Sequence, residues 1–83
     1  MRQVVYSPLA LRQLEKIDSA WSRRIRAKIE QYAADPASLA PQVKTLKGSK
    51  GLRLRVGDYR VVFTADAKVL FIMKVGHRRD VYD

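Results

Sequence analysis

The sequence predicts an α+β fold, a small antiparallel sheet in the chain order β-α-α-β-β-β with a helical hairpin packed on one face. Three observations predict it. Leu52 to Val56 alternates apolar and basic residues, the period-two pattern of a strand with one face in a core. Gly57-Asp58 then interrupts, and Tyr59 to Thr64 resumes with β-branched and aromatic residues, so the two stretches read as a hairpin. Upstream, apolar residues recur at helical rather than strand spacing: Ala10, Leu14 and Ile17, then Trp21, Ile25, Ile29 and Tyr32.

Composition sets the bounds. Eighty-three residues make one domain, 1–83. A chain of this size buries only about 60–65% of its unfolded surface, so its core is small. With 47% apolar residues in a clear pattern, it is not a disordered chain. Without cysteine there is no disulfide framework and no thiolate chemistry, and one histidine does not make a zinc site. No metal or other cofactor is expected. No run approaches the ~18 apolar residues of a membrane span, and the N-terminus lacks a signal-peptide core, so a soluble cytoplasmic protein is expected. The formal charge is +9. Residues 1–35 carry seven basic and four acidic residues, and residues 36–83 carry ten and four, so the excess favours the second half. A small domain this basic suits a polyanion: nucleic acid first, then an acidic protein or an anionic membrane surface.

Each element follows in order. Arg2 to Tyr6 is a short strand candidate. Ser7-Pro8 is a helix start, with Ser at the N-cap and Pro where no hydrogen bond is lost. The first helix runs from about Pro8 to Ile17. Asp18-Ser19 offers a new N-cap, and the second helix ends near Ala34, before Asp35-Pro36. Trp21 shares the stripe of Ile25 and Ile29 and reads as a core anchor, while Arg23, Arg24, Arg26 and Lys28 read as a solvated surface. Asp35 to Gly51 reads as a loop. Its three lysines, Lys44, Lys47 and Lys50, are either a basic approach to a groove or an ordinary polar loop. Lys68 to Val75 is the last strand, apolar almost throughout and therefore central, with Gly76 at its end.

The Gly57-Asp58 turn fixes a register: Val56 opposite Tyr59, Arg55 opposite Arg60, Arg53 opposite Val62. Arg53, Arg55 and Arg60 then share one face, and Leu52, Leu54, Val61 and Phe63 the other. Facing arginines are either splayed into solvent or gathered as an anion site with forked geometry. A two-residue Asp66-Ala67 turn would put Leu70 and Ile72 in the core and lay Phe71 and Met73 along the arginine face. The tail starts beside Tyr59 and Arg60, within reach for His77, Arg78 and Tyr82. Such a set lacks a carboxylate pair or a metal cage. It suits RNA phosphodiester chemistry, in which the substrate's own 2′-hydroxyl is the nucleophile and guanidiniums stabilise the phosphorane. An imidazole at 77 could move a proton and a ring at 82 could stack on a base.

Ser7-Pro8 before a helix, Leu46-Lys47-Gly48, the run from Leu52 to Val62, and Val75-Gly76-His77-Arg78-Arg79-Asp80-Val81-Tyr82 together resemble toxins of the RelE/ParE superfamily, most closely its RelE branch. The resemblance covers nearly the whole chain in order. It implies a type II toxin-antitoxin toxin that cleaves mRNA in the ribosomal A site, inhibits translation, needs no metal and leaves a 2′,3′-cyclic phosphate. It implies a RelB-like antitoxin as partner, in a hetero-oligomer, besides mRNA on the ribosome. By the same resemblance, Arg53 and Arg55 stand where relatives often place lysines for phosphate binding and base chemistry. Arg60 matches a phosphate-binding arginine, Arg78 one with a transition-state or general-acid role, and Tyr82 a base-stacking tyrosine; His77 lies where some relatives place a catalytic histidine. Arginine holds its proton far more tightly than lysine, so Arg55 would act by charge rather than as a base. The superfamily also offers a ParE-like DNA gyrase inhibitor and an inactive, binding-only member as alternatives.

Overall fold

One side chain joins the first strand to the first helix. The Ser7 hydroxyl accepts the Ala10 N–H at 3.0 Å and donates to the Met73 carbonyl at 2.7 Å, so the cap is also fastened to the sheet. In the computed structural model, which describes residues 1–46, 48 and 50–81, Ser7 separates β1 (Gln3–Tyr6) from α1 (Pro8–Lys16). Asp18 then caps α2 (Ser19–Ala34), its carboxylate accepting the N–H groups of Ala20 and Trp21. The helical stripes behave as their spacing predicts: Ala10 and Leu14 of α1, and Ile25, Ile29 and Ala33 of α2, are buried.

The stretch read as loop holds two elements. Pro36 starts a 3-10 segment, Pro36–Gln42, which buries Leu39. Val43–Thr45 then forms β2, antiparallel to the next strand. β3 (Leu52–Val56), β4 (Tyr59–Ala65) and β5 (Val69–His77) complete a five-stranded sheet of order β1-β5-β4-β3-β2. The sheet is mixed rather than wholly antiparallel, because β1 lies parallel to β5 in register Val4 to Leu70 and Tyr6 to Ile72. β1 therefore takes the edge beyond the last strand, and the three C-terminal strands remain the predicted meander.

The helices cover one face. Leu54, Val56, Val61, Phe63, Leu70, Ile72 and Val75 meet the helical stripes in one buried cluster, with the Tyr32 ring edge-on to Phe63 at 5.2 Å. Among the described residues no helix is long and apolar enough to cross a membrane. β5 continues one residue past Gly76 to His77, because Gly76 still pairs with Arg60 and His77 with Tyr59.

One irregularity decides what the uncovered face carries. The β4–β5 connection is longer than two residues: Ala65 pairs with Leu70, and the Asp66 carboxylate accepts the N–H groups of Lys68 and Val69. The register then slips between Val62 and Phe63, a β-bulge that leaves Met73 without a partner on β4. Without it, simple alternation from Leu70 and Ile72 would drive Lys74 into the core and turn Val75 out. With it, Val75 is buried and Lys74 moves to the uncovered face. The Met73 backbone is held at the bulge by Ser7, and the Val75 N–H donates to the Gln13 side-chain carbonyl at 2.7 Å.

Candidate nucleic-acid interface

The β3–β4 hairpin has the register that its turn predicts. Val56 faces Tyr59, Arg55 faces Arg60 and Arg53 faces Val62. Gly57 takes a positive φ of 58° and Asp58 does not, the φ pattern of a type II′ turn. A Cβ on Gly57 would lie 2.5 Å from Trp21 Cη2, so the turn rests directly on the indole. Trp21 contacts the Tyr59 ring at 5.3 Å on the same side. The helix layer thus sets the position of the turn, and the turn sets Arg55 against Arg60.

Arg53, Arg55 and Arg60 share the uncovered face, and Arg60 is its centre. Its Nη1 donates to the carbonyls of Gly57 and Tyr59, both at 3.0 Å, which folds the guanidinium back over the turn. Partial burial holds its pKa below the ordinary arginine value, and the charges of Arg53, Arg55 and Arg78 lower it further, with Asp58 opposing. Arg60 therefore feels the charge of three other guanidiniums. That arrangement costs stability until an anion enters it. A groove of about 270 Å³ opens here, lined by Pro41, Gln42, Lys44, Arg53, Arg55 and Arg60.

Two lysines complete the face that the sequence assigned to arginines alone. Lys44, on β2, pairs with Arg53, and Lys74 pairs with Val62. One row across four strands thus reads Lys44, Arg53, Val62, Lys74. Val62 is only 3% exposed although it lies outside the helix-covered core cluster. Phe71 and Met73 do not floor the arginines. Phe71 sits opposite Thr64, further along the sheet, and Met73 is the bulge residue, so Lys74 and Gly76 take the predicted places beside Val62 and Arg60. The signal for the change was present: Lys74 shares the parity of Leu70 and Ile72, and an unbroken strand with those two in the core would bury the lysine.

The tail divides. Arg78 joins the cluster: its N–H donates to the Asp58 carbonyl at 2.7 Å, and its Nε lies 3.7 Å from Asp58 Oδ1. His77 does not. It pairs with Tyr59, so its ring stands on the helix side of the sheet, edge-on to Tyr59 at 5.7 Å, across the sheet from Arg60. The expectation that His77 reaches the arginine face is corrected by strand parity, because neighbours on one strand point to opposite faces. Its Nδ1 accepts the Arg79 N–H at 3.3 Å and its carbonyl accepts the Asp80 N–H at 2.8 Å, which turns the tail back. Val81 then packs, buried, over Gly76, where a Cβ would lie 2.8 Å from its Cγ2. Gly76 stands beside Arg60, so the tail crosses the arginine face at its centre. Tyr82, the next residue, lies outside the described residues.

Comparison with known proteins now adds its findings. The family described as ParE toxin of type II toxin-antitoxin system, parDE, matches residues 4–82. Among solved structures, the chain is similar to the archaeal RelE-RelB complex from Pyrococcus horikoshii OT3, at 24% identity and TM-score 0.78 over 96% of this chain and 98% of that one. It is similar to the E. coli DinJ-YafQ toxin-antitoxin complex, at 11% identity and TM-score 0.77 over 99% and 98%. It is also similar to the RelBE2 toxin-antitoxin complex from Mycobacterium tuberculosis, at 26% identity and TM-score 0.65 over 93% and 98%. Comparison with curated proteins gives no significant match.

Proposed function

From a chain that belongs to the ParE toxin family of type II toxin-antitoxin systems, within the RelE/ParE superfamily, we propose an endoribonuclease whose arginine face cleaves mRNA on the ribosome. The observation that carries this reading is the Arg60 centre: one guanidinium ringed by the charges of Arg53, Arg55 and Arg78 on a sheet face that no helix covers. The reaction is attack of a ribose 2′-oxygen on its own 3′-phosphorus. A bond forms from the 2′-oxygen to phosphorus, the bond from phosphorus to the 5′-oxygen breaks, and the products are a 2′,3′-cyclic phosphate and a 5′-hydroxyl. Charge builds on the two non-bridging oxygens, and forked guanidiniums match them.

The residues divide the work by position. Arg60 holds the scissile phosphate, and Arg53 and Arg55 hold it or its neighbours along the ladder. Arg78 stands at the turn end, towards the leaving oxygen. Tyr82 is proposed to stack on a base at the point where Val81 delivers the chain. His77 faces the other way and serves as a positioning residue for the tail. The 2′-hydroxyl proton passes to water or to a group of the ribosome, and the leaving 5′-oxygen takes its proton from water or the ribosome in turn, since guanidiniums keep their protons. No metal or other cofactor has a role in this reading, and its place of action is the cytoplasm, where messages are translated.

The partner proposed is an antitoxin with an acidic or apolar segment, since similar chains are seen in RelB-RelE and DinJ-YafQ complexes. Binding to the folded toxin raises its melting temperature by mass action. The test of the reaction is a purified translation system with primer extension on the message. Wild type cuts within codons only when ribosomes are present. Arg60→Ala, with an unchanged circular dichroism spectrum, loses the cuts by about 100-fold or more, while His77→Gln keeps activity within about tenfold of wild type. Intact message with wild-type protein refutes the reading. The matched family carries the ParE name, which keeps the ParE-like alternative, inhibition of DNA gyrase, as the second reading; it predicts blocked supercoiling with no cut in the message.

A further inference from the structure

The structure has a second hollow of about 570 Å³, between α2, the 3-10 segment and the β3–β4 turn. This volume suits a ligand of nucleotide size. Leu39 and Val56, both buried, line it with apolar surface. Arg24 and Lys28 come from α2 and Arg55 from β3, and among the described residues no carboxylate lines it. The Arg24 guanidinium lies over the Trp21 ring, 4.6 Å from its centroid, and Trp21 is itself backed by Gly57 and Tyr59. Lys28 Nζ has the neutral side-chain carbonyl of Gln31 as a partner at 3.5 Å, so its charge is not cancelled there. Gln42 and Arg55 line both this hollow and the arginine groove, so the two share a wall.

These features combine into a nucleotide site. An arginine held over an aromatic ring presents its second face to a base, and bases splayed from a single strand stack on guanidinium planes. An apolar floor with side-chain amides at the rim suits a base that is partly desolvated and read at its edge. The shared Arg55 gives the connecting phosphate a cation on the way from one hollow to the other. We infer that this cavity holds a nucleotide flanking the scissile one, its base stacked on Arg24 and its phosphate held by Lys28 and Arg55. The two hollows then form one track for single-stranded RNA around the Arg55–Val56 end of β3, beyond its pairing with β2. The inference rests on the reading of the arginine face as an RNA site and adds the second subsite.

Trp21 is the only tryptophan of the chain and lines the cavity, so it reports directly on occupancy. The probe is a short 2′-O-methyl oligoribonucleotide, which cannot be cleaved because its 2′-oxygen is blocked. Binding is followed by anisotropy of a labelled copy, and occupancy by Trp21 emission with an unlabelled copy. Wild type shows both signals with one affinity. Lys28→Gln, which leaves the Arg24 contact with Trp21 in place, weakens binding by about tenfold and lowers the salt slope by about one. Arg24→Gln with Lys28→Gln weakens it further and abolishes the emission change, with the far-ultraviolet spectrum unchanged. An anisotropy rise without an emission change, and with both variants binding as wild type, overturns the second subsite and leaves the arginine face as the RNA site. No anisotropy rise with wild type overturns both. An emission change produced by the antitoxin and not by the oligonucleotide assigns the cavity to a protein interface and also overturns the inference.

Discussion

Gly57→Ala probes the contact on which the arginine face depends. Two costs add. An alanine at a φ of 58° meets the left-handed penalty of roughly 1–2 kcal/mol, offset by about 0.4–1 kcal/mol because the unfolded chain has less freedom to lose. The new methyl would also lie 2.5 Å from Trp21 Cη2 and 2.8 Å from Cζ3. That ring is rigid and packs against both Arg24 and the Tyr59 side chain, so it does not yield as a flexible chain would, and overpacking of this kind costs about 1–3 kcal/mol. The total centres on about 3 kcal/mol, and a domain of this size loses roughly 4–8 °C per kcal/mol, so a fall of about 12–24 °C in Tm is expected. Gly48→Ala is the control. Gly48 has a φ of 68° but nothing within 4 Å of a Cβ, so it bears the conformational cost alone, about 1 kcal/mol and about 5 °C. The assay is thermal unfolding followed by Trp21 fluorescence and circular dichroism. Equal melting temperatures for the two variants would refute the account, because they would show that the turn does not rest on the indole.

Three further outcomes follow from the same geometry. Arg55→Gln removes the like charge opposite Arg60 and raises Tm by a few degrees near about 20 mM salt, with the gain shrinking as screening grows; because guanidiniums stay charged at every accessible pH, salt and not pH tunes this repulsion. Asp66 behaves in the opposite way. Hydrogen bonds from the N–H groups of Val69 and Lys68 hold its carboxyl below its ordinary value of 3.8, so its stabilisation is full above that value and is lost as pH falls through the lower, folded one. Asp66→Asn is therefore less stable than wild type at neutral pH, and the two unfolding curves converge in acid. Gly76→Val places a branched side chain where a Cβ already lies 2.8 Å from Val81; amide exchange after His77 accelerates, and mRNA cleavage falls while the sheet amides stay protected.

What the sequence made legible was local. A two-residue turn set the β3–β4 register without reference to the rest of the molecule, and the helical stripes needed only their own spacing. Arg60 and its arginine neighbours followed from that hairpin. The parts that escaped depend on distant partners. β2 is three residues long and its Val43-Lys44-Thr45 alternation is too short to stand out, so Lys44 was read as loop. β1 joins β5 in parallel, a pairing that no local pattern encodes. His77 was placed by nearness along the chain, whereas its face is set by parity, and parity on β5 is changed by the bulge at Met73.

That bulge makes β5 a strand with two phases. Its first half keeps step with β1 and its second half with the hairpin, and Met73 is the residue at which the count changes. The consequence concerns length. Related chains can gain or lose residues at the exposed Asp66–Lys68 turn without altering which side chains face which way. Straightening the strand with Met73 kept in the ladder opposite Val62 would reverse Lys74 through His77 together, taking Val75 out of the core, putting a lysine in, and turning the imidazole towards the arginines, whereas deleting Met73 would remove the bulge and leave every face as it is. The looping-out of one residue, rather than the identity of the side chains beyond it, keeps the basic surface and the core on their own sides.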